Sequence, residues 1–260
     1  MPELPEVEAA AVRLRSVILG RTLLTLAAHH PSQQRQLPII VIRRASGQAV
    51  VRVERRGKHQ LIHLHDGGLL HIHFRMNGDW EFTRVSDPLP RYARVTFDFD
   101  DGARVSLTDS RALCTVRYHA AGRPPALELG PEADDPALTG STVRLSLATK
   151  RGPIKAALLD QRVIAGIGNI YASEALWRSR INPSAVAGTL SLAHVKRLLT
   201  GLRTALADGV RNAGYYRTGG RVTPFKVYDR AGEPCKRCGK KIKRIVQAGR
   251  STYYCPNCQR

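Results

Sequence analysis

CKRCGKKIKRIVQAGRSTYYCPNCQR, residues 235–260, is the stretch that decides how the end of the chain folds. It carries two Cys-x2-Cys pairs, Cys235 with Cys238 and Cys255 with Cys258. This spacing lets two tight turns present four thiolates to one tetrahedral Zn²⁺. Apolar residues on both sides of an Ala-Gly turn predict two short strands joined as a hairpin. Because about 26 residues cannot build a sufficient core without a staple, we predict a zinc ribbon with one structural Zn²⁺.

The charge of this stretch is one-sided. Residues 235–260 contain eight Lys or Arg and no acid, and the whole chain has 41 basic against 21 acidic residues, a net charge of +20. A field of that size in a folded protein favours a polyanionic partner. The sequence has no run near the ~18 apolar residues of a membrane span and no signal-peptide pattern, so we expect a cytoplasmic protein that binds nucleic acid.

The chain starts MPELPEVE, and apolar residues then recur at helical spacing until Gly20. This periodicity predicts a helix that begins almost at the terminus. A small residue at position 2 favours removal of Met1, which would leave the secondary amine of Pro2 at the chain end beside Glu3. Such an amine is partly neutral at physiological pH, because free α-amines titrate at roughly 7.7–8.0, and it is then nucleophilic.

Residues 22–119 alternate with period two, which predicts an all-β region of about eight strands with hairpin loops at Asp66-Gly67-Gly68 and Asp101-Gly102. Histidines at 63, 65, 71 and 73 share this alternation. We interpret them as a solvated face with one side chain available for phosphate, in preference to a metal site. Cys114 is expected to be a small buried residue.

Prolines at 124, 125 and 131 break this pattern, and helical periodicity follows at 154–161, 170–179 and 192–210. A glycine-rich turn at 165–169 opens the second helix, and we expect its glycines to let the backbone approach a phosphate. The pattern changes predict three domains: 1–131, 132–224 and 225–260.

Five motifs occur together: PELPEVE at the start, RRGKH at 55–59, GIGNIYASEALW at 166–177, GEPC at 232–235 and GRSTYYCPNCQ at 249–259. With them the chain resembles the bacterial formamidopyrimidine-DNA glycosylase and endonuclease VIII family over its whole length. The resemblance implies an α+β fold: an N-terminal β-sandwich with an N-terminal helix, a helix-two-turn-helix domain and a zinc ribbon. It also implies a monomeric, nucleoid-associated enzyme of base excision repair that acts on double-stranded DNA with damaged bases or abasic sites, with zinc as a structural ion.

The resemblance assigns catalysis to Pro2, Glu3, Lys58 and Arg250, with Glu6 in support. Pro2 would attack C1′ of the damaged nucleotide and form a Schiff base, and strand cleavage by β,δ-elimination would follow. Glu3 would act as general acid on the sugar ring oxygen.

DNA contacts are implied in the same way. Lys58, Asn169 and Arg250 would grip the phosphates beside the lesion, and His73 and Lys155 would add contacts. An extruded base leaves a gap in the duplex, which Met76, Arg111 and Leu113 would fill. Leu113 stands where formamidopyrimidine-DNA glycosylases usually have phenylalanine, and a buried strand position is its alternative interpretation.

The loop at 215–224 is shorter than the lid that closes over 8-oxoguanine in typical members, which predicts a broad or altered lesion range. PELPEVE favours formamidopyrimidine-DNA glycosylase, whereas the short loop favours an endonuclease VIII-like enzyme for oxidised pyrimidines. Two other functions remain as alternatives: a damaged-DNA binder without turnover, and an RNA-binding zinc-ribbon protein. Intact Pro2 and Glu3 argue against the binder, and the N-terminal motif is unexplained by the RNA-binding alternative.

Overall fold

The structure is a computed structural model that describes residues 1–212 and 225–260. The chain divides into two compact units: Met1–Pro2 with Glu6–Leu127, and Glu3–Pro5 with Glu128–Arg260. The loop at 215–224, from whose length a broad or altered lesion range was predicted, lies outside the described residues. None of the described helices is long and apolar enough to cross a membrane.

The first part of the chain contains three helices and eight strands. In order they are α1 (Leu4–Ile18), β1 (Thr22–Ala28), α2 (Pro31–Gln34), α3 (Ile39–Ala45), β2 (Gln48–Arg56), β3 (His59–Leu64), β4 (Leu69–His73), β5 (Asp79–Arg84), β6 (Ala93–Phe99), β7 (Ala103–Thr108) and β8 (Thr115–His119). The predicted helix at the terminus and the predicted hairpin loops are confirmed. Helices α2 and α3 were not predicted, because the short apolar run Ile39–Ile42 reads equally well as a strand.

The eight strands form one antiparallel sheet in the order β5-β7-β6-β1-β2-β3-β4-β8. Only two residue pairs join β1 to β2, Thr22 with Ala49 and Leu23 with Gln48. The sheet is therefore two four-stranded halves hinged at that short ladder, and one hydrophobic core contains buried residues from both halves.

Trp80 on β5 lies at the centre of this core. Its ring is 5.6 Å from that of Phe74 and 5.7 Å from that of Phe97. Its indole N–H donates to the side chain of Gln60 on β3 at 2.9 Å, so the polar end of this large side chain is satisfied although the residue is buried. Helix α1 adds the apolar face that its periodicity predicts, through Val7, Leu14 and their neighbours.

The second unit is helical and ends in a two-stranded hairpin. Its elements are α4 (Gly140–Leu147), α5 (Ile154–Leu159), α6 (Asn169–Arg178), a 3-10 turn (Ala187–Thr189), α7 (Leu192–Arg211), β9 (Lys243–Gln247) and β10 (Arg250–Tyr254). The three predicted helices agree with α5, α6 and α7 to within about two residues, and α4 was not predicted. Ser191 caps α7 by accepting from the N–H of His194.

The β9–β10 hairpin turns at Ala248 and Gly249, whose φ angles are 47° and 69°. Two consecutive positive φ values are typical of the type I′ turn that matches the twist of a hairpin. The pairing of Arg250 with Gln247 closes the turn. The structure thus confirms the α+β class and the ribbon hairpin.

Candidate nucleic-acid interface

Glu3 is bound by the first turn of α6. Its carboxylate accepts the backbone N–H of Ile170 at 2.9 Å and that of Tyr171 at 3.2 Å, and the residue is 3% exposed. The N–H groups of a first helical turn have no partner within the helix, and the helix dipole favours an anion there. Both oxygens of Glu3 are therefore held in one orientation by the segment that contains the GIGN motif.

The glycines of that motif make room for the N-terminal segment of the chain. A Cβ on Gly168 would lie 2.3 Å from Cδ of Glu3, and one on Gly166 would lie 2.5 Å from Leu4. Gly166 also has a φ of 85° and accepts the N–H of Leu4 through its carbonyl at 3.1 Å. The expectation that these glycines admit a phosphate is wrong at the amides of Ile170 and Tyr171, because a carboxylate of the same chain binds them.

Lys155 on α5 is fully buried and donates to Oδ1 of Asn169 at 2.5 Å and, more weakly, to Oγ1 of Thr252 at 3.5 Å. Burial lowers the pKa of Lys155 to about 8, Glu3 opposes that shift and Arg250 adds to it. Its predicted role as a direct DNA contact needs correction, since no part of the side chain reaches solvent. Lys155 instead orients Asn169.

Asn169 connects α6 to the ribbon hairpin. While its Oδ1 accepts from Lys155, its Nδ2 donates to the carbonyl of Ser251 at 2.8 Å. The neighbouring residue, Arg250, is exposed at the start of β10. The second unit therefore brings together four of the predicted site residues, Glu3, Lys155, Asn169 and Arg250.

The four predicted zinc ligands are close enough to share one ion. The Sγ atoms of Cys235, Cys238, Cys255 and Cys258 all lie within 4.8 Å of one another, and they form the one such group found among residues 1–212 and 225–260. Sulfurs at about 2.3 Å from a tetrahedral Zn²⁺ are about 3.8 Å apart, so the cluster fits one structural Zn²⁺.

Two side chains that are not themselves zinc ligands support this cluster. The indole N–H of Trp177 on α6 donates to Sγ of Cys235 at 3.3 Å. Gln259 accepts the N–H of Cys255 at 2.8 Å and donates to the carbonyl of Ile181 at 3.0 Å. The ligand set is thus tied to the helix that carries Asn169, which fits the role of such partners in orienting metal ligands.

In the first unit, Lys58 occupies the turn between β2 and β3 and is 7% exposed. His73 ends β4, and its Nδ1 accepts the N–H of Arg75 at 2.9 Å. Burial, with smaller effects of His59, Arg75 and Lys58, lowers the pKa of His73 to about 3. The ring is therefore neutral, and because Nδ1 accepts, Nε2 carries the proton available to a phosphate.

Two of the histidines interpreted as a solvated face, His71 and His73, are only partly exposed and contact other rings. His71 Nε2 lies 2.7 Å from Nδ1 of His59, and the His59 ring is 4.6 Å from that of His73. Burial is the largest cause that lowers the pKa of His71 to about 4. These rings from neighbouring strands pack on one another, and His59 helps to lower the pKa of both His71 and His73.

The three predicted gap fillers lie on two loops of the first unit. Met76 is 36% exposed in the loop between β4 and β5, and Leu113 is 44% exposed in the loop between β7 and β8. The alternative of a buried strand position for Leu113 is therefore wrong. Arg111 is also exposed, and Asn77 donates to Oγ of Ser110 at 3.1 Å, so the two loops touch.

Asp109 shapes the loop that carries Arg111 and Leu113. This buried carboxylate accepts the backbone N–H of Arg111 at 2.9 Å, of Leu113 at 2.7 Å and of Cys114 at 2.8 Å. Between them Ala112 adopts a φ of 53°, a conformation that costs free energy in a non-glycine residue and must be stabilised by its surroundings. The carboxylate of Asp109 therefore fixes the backbone that carries the side chains of Arg111 and Leu113.

Gln33 completes that support from α2. Its Nε2 donates to the carbonyl of Cys114 at 2.7 Å and to that of Ala112 at 3.2 Å. Sequence reasoning missed Asp109 and Gln33. Asp109 stands in the stretch TDSRALC at 108–114 and was recognisable as a turn former, whereas nothing local marks Gln33.

The remaining predicted residues are buried. Pro2 and Glu6 have little exposure, and Cys114 is fully buried as expected, with its pKa raised to about 12 by burial and by Asp109. A thiol of that pKa is not a nucleophile at neutral pH.

The family model for the N-terminal domain of formamidopyrimidine-DNA glycosylase matches residues 1–116. The model for the H2TH domain of the same enzyme matches residues 129–218, and the zinc finger found in FPG and IleRS matches residues 232–260.

Whole-length relatives agree with these models. The formamidopyrimidine-DNA glycosylase of Geobacillus kaustophilus is 38% identical, with 100% of both chains covered. That of Chloroflexus aggregans is 39% identical, with 100% of this chain and 98% of the relative covered.

Two solved structures are similar over 100% of both chains. A Lactococcus lactis FPG mutant in complex with DNA containing Fapy-dG has a TM-score of 0.90 at 27% identity. A MutM in complex with DNA containing carbocyclic 8-oxo-G has a TM-score of 0.90 at 28% identity. With full-length relatives above 35% identity and matching models for all three parts, this chain belongs to the formamidopyrimidine-DNA glycosylase family.

Proposed function

We infer that this chain is a bifunctional DNA glycosylase and AP lyase of base excision repair, acting on double-stranded DNA with damaged bases or abasic sites. The observation that carries the inference is the pair of backbone hydrogen bonds to the Glu3 carboxylate. They hold Glu3 against the first turn of α6, beside Asn169. A nucleic-acid binder without catalysis has no need to hold a buried carboxylate next to the amine of Pro2.

Pro2 is proposed as the nucleophile after removal of Met1. Its nitrogen bonds to C1′ as the bond from C1′ to the damaged base breaks, and the base leaves with a proton. The proton that the amine loses passes to the Glu3 carboxylate, and as the ring oxygen departs from C1′ and takes up that proton, the nitrogen becomes an iminium. Covalent catalysis of this kind divides one difficult step into easier ones.

Glu3 is proposed to supply the proton that the departing ring oxygen takes up. A general acid must be held within hydrogen-bond reach of its acceptor, and the two amide bonds to Glu3 remove its freedom to rotate. The iminium then acidifies the C2′ position. Loss of that proton expels the 3′ phosphate, and a second elimination expels the 5′ phosphate.

Asn169, Arg250, Lys58 and His73 are proposed to bind phosphates beside the lesion. Support comes from the exposure of Arg250 next to Ser251, whose carbonyl accepts from Asn169. His73 would contribute a neutral N–H donor, because its pKa is lowered to about 3 by burial. Lys155 would act through Asn169.

Met76, Arg111 and Leu113 are proposed to fill the gap left by an extruded base. The exposure of Met76 and Leu113 supports this role, since apolar side chains that insert between base steps must project from the protein surface. Arg111 would hydrogen-bond the orphaned base.

The lesion range is proposed to be broad, with ring-opened purines, oxidised pyrimidines or abasic sites processed at least as well as 8-oxoguanine opposite cytosine. The short loop at 215–224 supplies the reason, because a lost polar contact to the base is worth about 1–3 kcal/mol. Single-turnover rates on matched duplexes test it. At least tenfold faster excision of 8-oxoguanine than of thymine glycol, dihydrouracil and ring-opened guanine would contradict it.

The domain boundaries, the oligomeric state and the location in the cell are proposed by analogy with the family. We propose domain boundaries at 131/132 and 224/225, a monomer, and a location in the bacterial cytoplasm at the nucleoid.

Borohydride trapping on an abasic duplex tests the catalytic assignment. We expect a covalent adduct on Pro2 by peptide mass analysis, and reduced but measurable trapping by Pro2→Gly, whose amine is primary. Glu3→Gln should abolish base excision and spare more of the cleavage at preformed abasic sites. An active preparation that retains Met1 would exclude Pro2, and equal loss of both activities in Glu3→Gln would exclude the acid role.

A further inference from the structure

The second unit contains an open pocket of about 520 Å³ whose lining includes none of the proposed DNA contacts. Its walls come from the C-terminal end of α6, the middle of α7 and Arg237 of the zinc ribbon. Concave pockets of about 300–1,000 Å³ are the usual size for ligand sites. The volume is sufficient for one or a few side chains of a bound segment.

Four cationic side chains line this pocket: Arg178, Lys196, Arg197 and Arg237. Lys196 and Arg197 are exposed and, within residues 1–212 and 225–260, form no ion pair. Arg178 donates to Asp208 at 2.5 Å, but its buried Nε has no hydrogen-bond partner in the described part of the chain. The lining of the pocket therefore carries more positive charge than Asp208 neutralises.

Trp177 supplies an aromatic wall beside these cations. The guanidinium of Arg237 lies 4.1 Å from the centre of the indole ring and also donates to the carbonyl of Trp177 at 3.1 Å. The guanidinium is thereby held in place over the ring, and a cation that is already ordered loses less conformational entropy when it binds an anion.

The pocket lies at the opposite end of α6 from Asn169. The helix is ten residues long, so at 1.5 Å per residue its first and last residues lie roughly 14 Å apart. A phosphate bound at Asn169 and a ligand in the pocket therefore do not share cations. The excess charge of the pocket is not needed by the phosphate contacts proposed for the lesion.

We propose that this pocket is a docking site for an acidic peptide segment of a partner protein, with Asp or Glu carboxylates bound by Lys196, Arg197 and Arg237. Charge complementarity supports an anionic occupant. The concave shape favours a peptide over DNA, because single side chains enter a pocket whereas duplex phosphates lie along a convex backbone. This site is independent of the proposed catalytic function and leaves the lesion site free.

The test uses the full zinc-loaded chain and a fluorescein-labelled peptide with six glutamates spaced by glycine. Fluorescence anisotropy measures the binding of the peptide to the chain. We expect Lys196→Glu combined with Arg197→Glu to raise the Kd of this peptide about tenfold, since two attractive charges become repulsive. Arg144→Glu is the matched control, because Arg144 is an exposed arginine of α4 outside the pocket, and it should change the Kd less than twofold. The glutamine analogue of the peptide should bind at least tenfold more weakly.

A second measurement locates the ligand. The chain has two tryptophans, so in a Trp80→Phe background the emission reports on Trp177 alone, and the glutamate peptide should change it. Equal effects of the double variant and the Arg144 control, or peptide binding without a change in Trp177 emission, would overturn the proposal. So would a double variant that loses affinity for an undamaged duplex while it keeps affinity for the peptide, because the pocket would then be a DNA contact.

Discussion

Lys155→Met removes a buried charge while it keeps most of the side-chain volume. In the folded protein the pKa of Lys155 is lowered from 10.5 to about 8, chiefly by burial. Below pH 8 the lysine is charged in the folded and the unfolded chain, and folding carries the full cost of burying that charge. Methionine carries no such cost.

The sign of the pH dependence follows from proton counting. Between pH 8 and 10.5 the unfolded chain keeps the lysine proton and the folded chain has lost it, so the free energy of unfolding rises with pH. The rise is roughly 1.4 kcal/mol for each unit of pKa difference, or about 3 kcal/mol across the window. Lys155→Met should lack this rise.

The assay is urea unfolding of both proteins at several pH values from 7 to 10.5. The difference between wild type and variant isolates Lys155 from other groups that titrate in the same range. We expect the wild type to gain about 3 kcal/mol relative to Lys155→Met across this range. A difference that stays constant with pH would refute the burial argument.

DNA binding gives a second readout for the same variant. Without Lys155, Oδ1 of Asn169 loses a charged donor at 2.5 Å, and such hydrogen bonds contribute about 1.5–3 kcal/mol. Affinity for an abasic duplex at pH 7 should therefore fall about tenfold or more. Lys150→Met, which removes a partly exposed lysine paired with Asp160, is the control and should change affinity less than threefold. Unchanged affinity in Lys155→Met would show that Asn169 does not depend on it.

Three further substitutions test other parts of the site. Gly168→Ala should reduce base excision at least about 100-fold in single-turnover assays, because its Cβ would displace Glu3 and a misplaced catalytic group costs that much. The control Gly152→Ala, with nothing within 4 Å of its Cβ, should be active. Equal activities of the two variants would show that excision does not depend on how Glu3 is held. Asp109→Asn should lower the Tm by several degrees and weaken binding to abasic duplexes, because the backbone N–H groups of Leu113 and Cys114 then share a weaker acceptor. An unchanged Tm would show that the loop holds its shape without the carboxylate. Arg250→Ala should keep one zinc by metal analysis and give a shallower salt dependence of DNA binding, whereas an unchanged slope would mean that Arg250 contacts no phosphate.

Local patterns were sufficient to predict most of the elements. The cysteine spacing, the Ala248-Gly249 turn and the apolar face of α7 each depend on residues close together in sequence, and each is found in the structure. The helix α2 was missed because it is only four residues long, too short for helical periodicity to stand out.

The support of the site depends on contacts between distant segments, which is why sequence reasoning missed it. Gln33 bonds to the backbone about eighty residues away in the chain, at Ala112 and Cys114. Lys155 was assigned to DNA through the resemblance, whereas in the structure it is buried and one of its partners, Thr252, comes from the ribbon. Composition alone cannot distinguish a lysine that contacts DNA from a lysine that is buried among side chains of the same chain.

The GIGN turn shows how one pattern admits two explanations that only geometry separates. Glycines before a helix N-terminus are expected wherever backbone must come close to an anion, and the sequence does not say whether the anion is a phosphate or a carboxylate of the same chain. Here Gly166 contacts Leu4 and Gly168 contacts Glu3, so both glycines serve the N-terminal segment. The helix terminus that binds an anion is therefore used to position the proposed acid. The proposed phosphate contacts at this end of α6 are therefore side chains, Asn169 and Arg250, the first held by its hydrogen bond to the carbonyl of Ser251 and the second by strand pairing with Gln247.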